Sequence, residues 1–183
     1  LIPAGATFWE LHLAITDSFE WGDYHLHEFC IGRVWDRNSI RIKLPHPDDE
    51  DFEDEIPPKE ESTTILSKHI FQKLPITYVY DFGDGWEHKI VLEKVFPGLA
   101  ETVYPQVIDG KRASPVEDCG GPGGYEELIK AVNNKKHPRH KEMLDWLYME
   151  EGDKIDWEEF DLKNIEFRDP QAEYQKYLRA VNR

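Results

Sequence analysis

At 183 residues and 21.5 kDa, with a formal net charge of −15, the chain is long enough for one compact domain and too acidic to grip a phosphate backbone unaided, so no direct binding to duplex DNA is expected. With 39% hydrophobic and 13% aromatic residues it can bury a sizeable core, which excludes global disorder. No stretch reaches the length of a membrane span and no signal segment opens the chain. Cys30 and Cys119 are too few for a disulfide framework, so a cytoplasmic protein with no membrane contact is expected.

Leu1 to Gly5 is a short apolar lead-in. Thr7-Phe8-Trp9-Glu10 has the form of a capping box, and Phe8, Leu11, Ile15 and Phe19 follow at helical spacing, which predicts an amphipathic helix over residues 8–20 ended by Gly22. From His25 the period shortens to two. HLHEFCIG therefore reads as a strand continuing to Trp35, with a turn at Asp36-Arg37-Asn38-Ser39 and a partner strand from Ile40 to Leu44. Residues 46–61, HPDDEDFEDEIPPKEE, are acidic and broken by Pro47, Pro57 and Pro58, which predicts an exposed loop. A calcium loop of the EF-hand type would need an alternating Asp/Asn pattern and a central Gly that are absent. Ser62 to Phe71 predicts a short helix with Ile65, Leu66 and Ile70 inward.

The stretch from Ile76 to Phe96, ITYVYDFGDGWEHKIVLEKVF, is the centre of the pattern. Tyr78, Tyr80 and Phe82 alternate with Thr77, Val79 and Asp81, and Trp86, His88, Ile90 and Leu92 share one face of a returning strand. Gly83-Asp84-Gly85 supplies the turn, since Asp-Gly tolerates positive φ; on that ground Asp84 is expected to be exposed and structural. A hairpin this aromatic needs further strands beside it.

Pro97 to Ser114 is irregular, and Pro115 to Gly124, PVEDCGGPGG, is a glycine-dense connector. Tyr125, Leu128, Ile129 and Val132 define a helix, and His137-Pro138 starts another with Met143, Leu144 and Leu147 inward and Trp146 adjacent. Asp156-Trp157-Glu158-Glu159 repeats the capping-box pattern, and Asp169-Pro170 opens a last helix with Tyr174, Tyr177, Leu178 and Val181 as its stripe. Helix, strands, then a helical C-terminal third predict a single α+β domain over residues 1–183. Its antiparallel sheet is built on hairpins 28–44 and 76–96, helix 7–20 packs on one face, and 165–183 is a helical C-terminal extension.

YDFGDGWEH at 80–88, HLHEF at 25–29 and PVEDCGGPGGYEELI at 115–129 together resemble the plasmid pRiA4b ORF-3-like family, whose members are also labelled mobile-element passenger or TnpR-like proteins. The resemblance runs from about Leu1 to Phe160. It implies an α+β fold, a prokaryotic cytoplasmic origin and no established activity. It also implies a strand before the first helix, ending in a segment like PPVWRR, so a sheet edge left open by truncation or disorder is expected here. Where the family tends to have Cys, this chain has Ser114, so a role built on paired cysteines cannot be general.

Three kinds of chemistry can be weighed. His25, His27, His88 and Asp81 could converge from two strands on a divalent metal, though no helical H-x-x-x-H fixes the spacing and ordinary sheet and turn hydrogen bonds account for the same residues. Cys119 precedes a helix start that would lower a thiol pKa, but no histidine lies near it in sequence; the glycines after it could cradle a phosphate or simply turn the chain into the helix. Recombination is rejected: Lys136, His137, Arg139 and Tyr148 fall short of the required constellation. Trp21, Tyr24, Trp35, Tyr80 and Trp86 gather near strand ends and suggest a groove for a peptide or small ligand. The expected site therefore joins Asp81 and His88 with His25, His27 or Glu28, flanked by Trp86 and Tyr24. The leading expectation is a non-enzymatic binding or adaptor module associated with mobile elements, with a metal-dependent hydrolase as the alternative and no cofactor or partner specified.

Overall fold

The capping box at Thr7 closes in both directions. The Thr7 hydroxyl accepts from the Glu10 N–H at 3.2 Å, and the Glu10 carboxylate accepts the Thr7 N–H at 2.6 Å, which starts helix α1 (Phe8–Ser18). The computed structural model describes residues 1–45, 56–71, 74–99 and 101–181. In it α1 packs on a five-stranded sheet of β1 (His27–Ile31), β2 (Ile40–Lys43), β3 (Lys59–Glu60), β4 (Ile76–Tyr80) and β5 (Trp86–Ile90), in the order β3-β2-β1-β4-β5. Helices α2 (Gly121–Asn133), α3 (His140–Trp146) and α4 (Pro170–Val181) follow, giving an α+β fold.

The sheet is mixed where a purely antiparallel one was expected. β1–β2, β1–β4 and β4–β5 are antiparallel, but β3 runs parallel to β2, with Ile42 opposite Lys59. The physical reason is the long connection between Lys43 and Lys59, which lets the chain re-enter in the same direction as no tight turn could. β3 also corrects the exposed loop expected at 46–61. Residues 46–55 lie outside the described residues, but Lys59–Glu60 form a strand and Glu61 is fully buried. β1 stops at Ile31, short of Trp35, because Gly32 and Trp35 both take positive φ and turn the chain out of the sheet.

Register sorts the side chains by face. His27 pairs with Tyr80 and Phe29 with Tyr78, which in turn pair with Trp86 and His88, so these six share one face. α1 lies against it: Phe8 meets Phe29 edge-on at 5.0 Å, and Phe19 meets His88 at 5.0 Å. Trp21, stacked on Tyr80 at 4.8 Å, completes the aromatic core. The buried face of α1 differs from its predicted stripe: Phe8, Trp9, His12, Leu13, Thr16 and Asp17 are buried, while Leu11, Ile15 and Phe19 are half-buried. The cover on that side is α4: Trp9 Nε1 donates to the Pro170 carbonyl at 2.8 Å, and its ring lies 5.9 Å from Tyr174. The capping pattern at Asp156 serves only a turn, with Asp156 Oδ1 accepting from the Glu158 N–H and no helix following.

A second apolar cluster joins Leu128, Ala131 and Val132 of α2 to Met143 and Leu144 of α3, and Cys119 and Tyr125 pack against both clusters. The glycine connector allows that junction. Gly121 has φ +67°, and a Cβ there would collide with the Asp84 carbonyl, while the Gly120 N–H donates to Asp84 Oδ2 at 3.0 Å. Asp84 is thus half-buried and caps the connector, where an exposed turn residue was expected. The positive φ angles of the central turn fall on Asp81 and Gly85, bridged by the Gly85 N–H to the Asp81 carbonyl at 2.6 Å; the hairpin is longer than a two-residue Asp-Gly turn.

Gly121→Ala should destabilise the fold by at least about 1–2 kcal/mol from the left-handed conformation alone, with the collision adding to it. Gly123→Ala, whose Cβ meets nothing within 4 Å, should be neutral or stabilising. Urea unfolding of the two variants beside the parent checks the contrast.

Candidate functional site

His12, Thr16 and Asp17 are the polar residues on the inner side of α1, and each is answered by a group far away in sequence. His12 Nδ1 lies 2.8 Å from the Tyr78 hydroxyl, and Nε2 lies 2.8 Å from Asp23 Oδ1, close but poorly aligned for a hydrogen bond. Its ring stacks on that of His27 with centroids 3.5 Å apart and planes within 6°. His27 Nε2 faces both oxygens of Glu61, at 3.0 and 3.1 Å. Arg168 enters from the C-terminal segment to pair with Asp17 and with Asp23 at 2.9 Å, and donates to the Thr16 hydroxyl at 2.7 Å.

Two imidazolium rings at 3.5 Å would repel by about 5 kcal/mol at an effective dielectric of ~20, so only one of the two is protonated to the imidazolium. Burial opposes the charge of His27, but the Glu61 carboxylate outweighs it and holds the His27 pKa above the ordinary histidine value. Burial first, and then the His27 charge, push His12 below it. His12 is therefore neutral: the Tyr78 O–H donates to Nδ1, and Nε2–H faces Asp23. Tyr78 is itself held protonated, its pKa raised well above 10 by burial and then by Glu61 and Asp23. His12, His27 and Glu61 bring donor atoms within 4.8 Å of one another, but parallel stacking keeps the in-plane lone pairs of the two rings from converging on one ion.

The residues expected to form one site are distributed over four places. His25 and Asp81 come together at the end of β1 and β4, with Nδ1 3.6 Å from Asp81 Oδ2; the other ring nitrogen is 3.2 Å from Asp118 Oδ1. Tyr24, exposed beside them, donates to Asp118 Oδ2 at 3.3 Å. His27 joins the buried network. Glu28 points to the opposite face, buried and paired with Arg41 Nε at 3.0 Å. Trp86 and His88 stay in the aromatic core; His88 packs against Phe19, Trp21 and Tyr78, and burial lowers its pKa. No polar contact joins His88 to Asp81 among the described residues. Asp81 divides its carboxylate: Oδ1 accepts from the Gly83 and Asp84 N–H groups at 2.9 and 3.3 Å, leaving Oδ2 toward His25.

Sequence reasoning missed Glu61, because its acidic surroundings read as solvated loop, and it missed Arg168, because the extension carried no visible tie to α1. His12 had a signal, a lone imidazole among the apolar positions of an amphipathic helix. Cys119 shows the opposite of the lowered thiol expected at a helix start: burial and then Asp84 push it up to about 11. Tyr148, the residue a tyrosine recombinase would need, is 98% exposed.

Above the buried network a groove of about 1070 Å³ runs past His25, His27, Glu28 and Arg168. Its rim carries Leu26, Trp35, Ile56 and Phe82, all exposed, with Trp35 and Phe82 edge-on at 6.2 Å. No helix among the described residues is long and apolar enough to cross a membrane.

The sequence profile of the plasmid pRiA4b ORF-3-like protein family matches residues 1–164. The uncharacterised protein y4hQ of Sinorhizobium fredii is 33% identical over 146 residues, covering 80% of this chain and 70% of that protein. The crystal structure of a protein of unknown function, MM3350 from Methanosarcina mazei Go1, superposes with a TM-score of 0.75 at 34% identity, over 91% of this chain and 86% of that one.

The histidine stack gives stability a defined pH dependence. His12, depressed in the fold, costs stability as pH falls from the ordinary histidine value toward its folded one, and His88 acts in the same direction. The contribution of His27, whose pKa is raised, is complete below the ordinary value and is lost as pH rises through its folded value. Urea midpoints from pH 5 to 8.5 should therefore peak near ~6.5, and His27→Gln should flatten the alkaline limb. A steady rise in stability across that range would contradict the assignment of the proton to His27.

Proposed function

Taking as premise that the chain belongs to the plasmid pRiA4b ORF-3-like family, we propose that it is a non-enzymatic binding or adaptor module of a mobile genetic element, acting in the cytoplasm as a single α+β domain on a peptide or small-molecule partner. The observation that carries this reading is the groove, with apolar rings exposed at its rim over a floor whose polar groups answer one another. Trp35 is 70% exposed and Phe82 42%, at a place where the chain has turned out of the sheet and core packing does not require them. Apolar groups held clear of the core beside a concavity fit the capture of a partner. Catalysis finds less support. The raised thiol of Cys119 and the enclosed hydroxyl of Tyr78 are poor nucleophiles at neutral pH. The free cysteines accord with a reducing compartment, and the net charge of −15 favours a protein or small-molecule partner over nucleic acid.

The test compares the parent with a Trp35→Ala/Phe82→Ala double variant as bait in native lysate, with and without chelator. The expected result is a partner retained by the parent and reduced at least tenfold on the variant, whose melting temperature is unchanged. Equal retention by both proteins would overturn the groove as the binding surface, and substrate turnover by the purified protein would overturn the non-enzymatic assignment.

A further inference from the structure

His25, Asp81 and Asp118 reach one point from three separate segments, and each is fixed by a contact other than those among themselves. His25 precedes β1 and sets its ring edge-on to Tyr80 at 5.6 Å. Asp81 is anchored through Oδ1 by the amides of its own turn. Asp118 is brought in by the connector, held on one side by Asp84 on the Gly120 N–H and on the other by Glu117, which accepts from the Tyr80 hydroxyl and the Gly22 N–H, both at 2.6 Å. One donor atom from each of the three residues lies within 4.8 Å of the others. His25 Nε2 and Asp118 Oδ1, at 3.2 Å, have the separation of two ligands each about 2.0–2.2 Å from a shared ion.

Charge and hydrogen bonding at this point are both incomplete within the protein. The carboxylates of Asp81 and Asp118 flank one imidazole with Glu117 next to them, and among the described residues the ion pairs to Asp81 and Asp118 come from His25 alone. His25 Nε2 is shielded from solvent yet makes no aligned hydrogen bond, despite the nearness of Asp118. A ring nitrogen shielded from solvent without an aligned partner, beside two carboxylates whose ion pairs among the described residues come from that same imidazole, is a donor set suited to a ligated ion.

We propose that His25, Asp81 and Asp118 bind a divalent transition-metal cation of the Zn²⁺ or Mn²⁺ class. One imidazole and two carboxylates suit such an ion better than Ca²⁺, which prefers an all-oxygen shell of six to eight ligands. Three protein ligands leave coordination positions open, and one of the three, His25, also lines the groove. The stacked His12–His27 pair is not part of the site, and the site stands whether or not the groove takes a peptide. No reaction is implied by it.

The full chain, stripped with chelator, is titrated calorimetrically with Zn²⁺ alone and then with Mn²⁺. The expected result is one ion per chain, with affinity reduced at least tenfold in His25→Gln and in Asp118→Asn, and a rise in melting temperature on adding metal that both variants lose. Asp118, whose side chain is 55% exposed, can change without loss of the fold, so Asp118→Asn carries the test alone if His25→Gln does not fold. Absence of binding at millimolar metal, or parent-like binding by Asp118→Asn, would overturn the site. Neither result bears on partner capture through Trp35 and Phe82, so the two proposals fail separately.

Discussion

A single positive charge shared across two stacked imidazoles constrains the whole interior. Two rings in van der Waals contact can carry one positive charge between them but not two, and one buried charge must be met by partners of fixed position. Glu61 answers His27, Asp23 answers His12 and Arg168, and Tyr78 closes the far side of His12. These groups come from α1, the loop before β1, β1 itself, the residue after β3, β4 and the segment before α4. The polar centre is thus also where non-consecutive parts of the chain are tied, and it gives the parallel β3 and the C-terminal extension a reason to dock where they do. α4 buries no residue completely, so apolar packing alone would hold it weakly; Arg168 and the Trp9 contact with Pro170 supply the rest.

A second constraint is the close approach of the connector to the central turn. Backbone passes so near backbone at Asp84 and Gly121 that no side chain fits between them. That approach links the sheet to α2 and α3 through Cys119 and Tyr125, and it also sets Glu117 under Tyr80 and Asp118 beside His25. Of the glycines read from the sequence as a possible phosphate cradle, Gly120 and Gly121 are taken up by contact with the protein's own turn. The residues just before them, Glu117 and Asp118, are set against Tyr80 and His25.

The sequence was legible where one periodicity acts alone. The Thr7 capping box, the β4–β5 pairing and the last helix follow from local pattern, because each pattern lies within a few residues, but the returning strand stops at Ile90, short of the Phe96 expected. It was illegible where satisfaction is remote. Glu61 belongs to an acidic, proline-broken run and looks solvated until His27 is known to face it. Arg168 looks like a surface cation until Asp17 and Asp23 are placed. Asp81 and His88 are near neighbours in the motif, yet register puts His88 in the aromatic core while positive φ turns Asp81 out toward His25. The partner that completes the Asp81 side, Asp118, sits in a stretch whose sequence signal was backbone flexibility and not ligation.

The interior and the strand end therefore differ in kind. In the interior the charged groups pair, Glu61 with His27 and Asp17 and Asp23 with Arg168, although His12 Nε2, Trp86 Nε1 and His88 Nδ1 make no aligned hydrogen bond. At the strand end acids from three segments surround one imidazole, and the Tyr24 hydroxyl beside them is raised above its ordinary value by burial and then by Glu117 and Asp118. Among the described residues these acids have only His25 as an ion-pair partner, beside a groove edged with exposed rings. Stability requires nothing of that arrangement, since burying apolar groups and pairing the acids with lysines would serve it better.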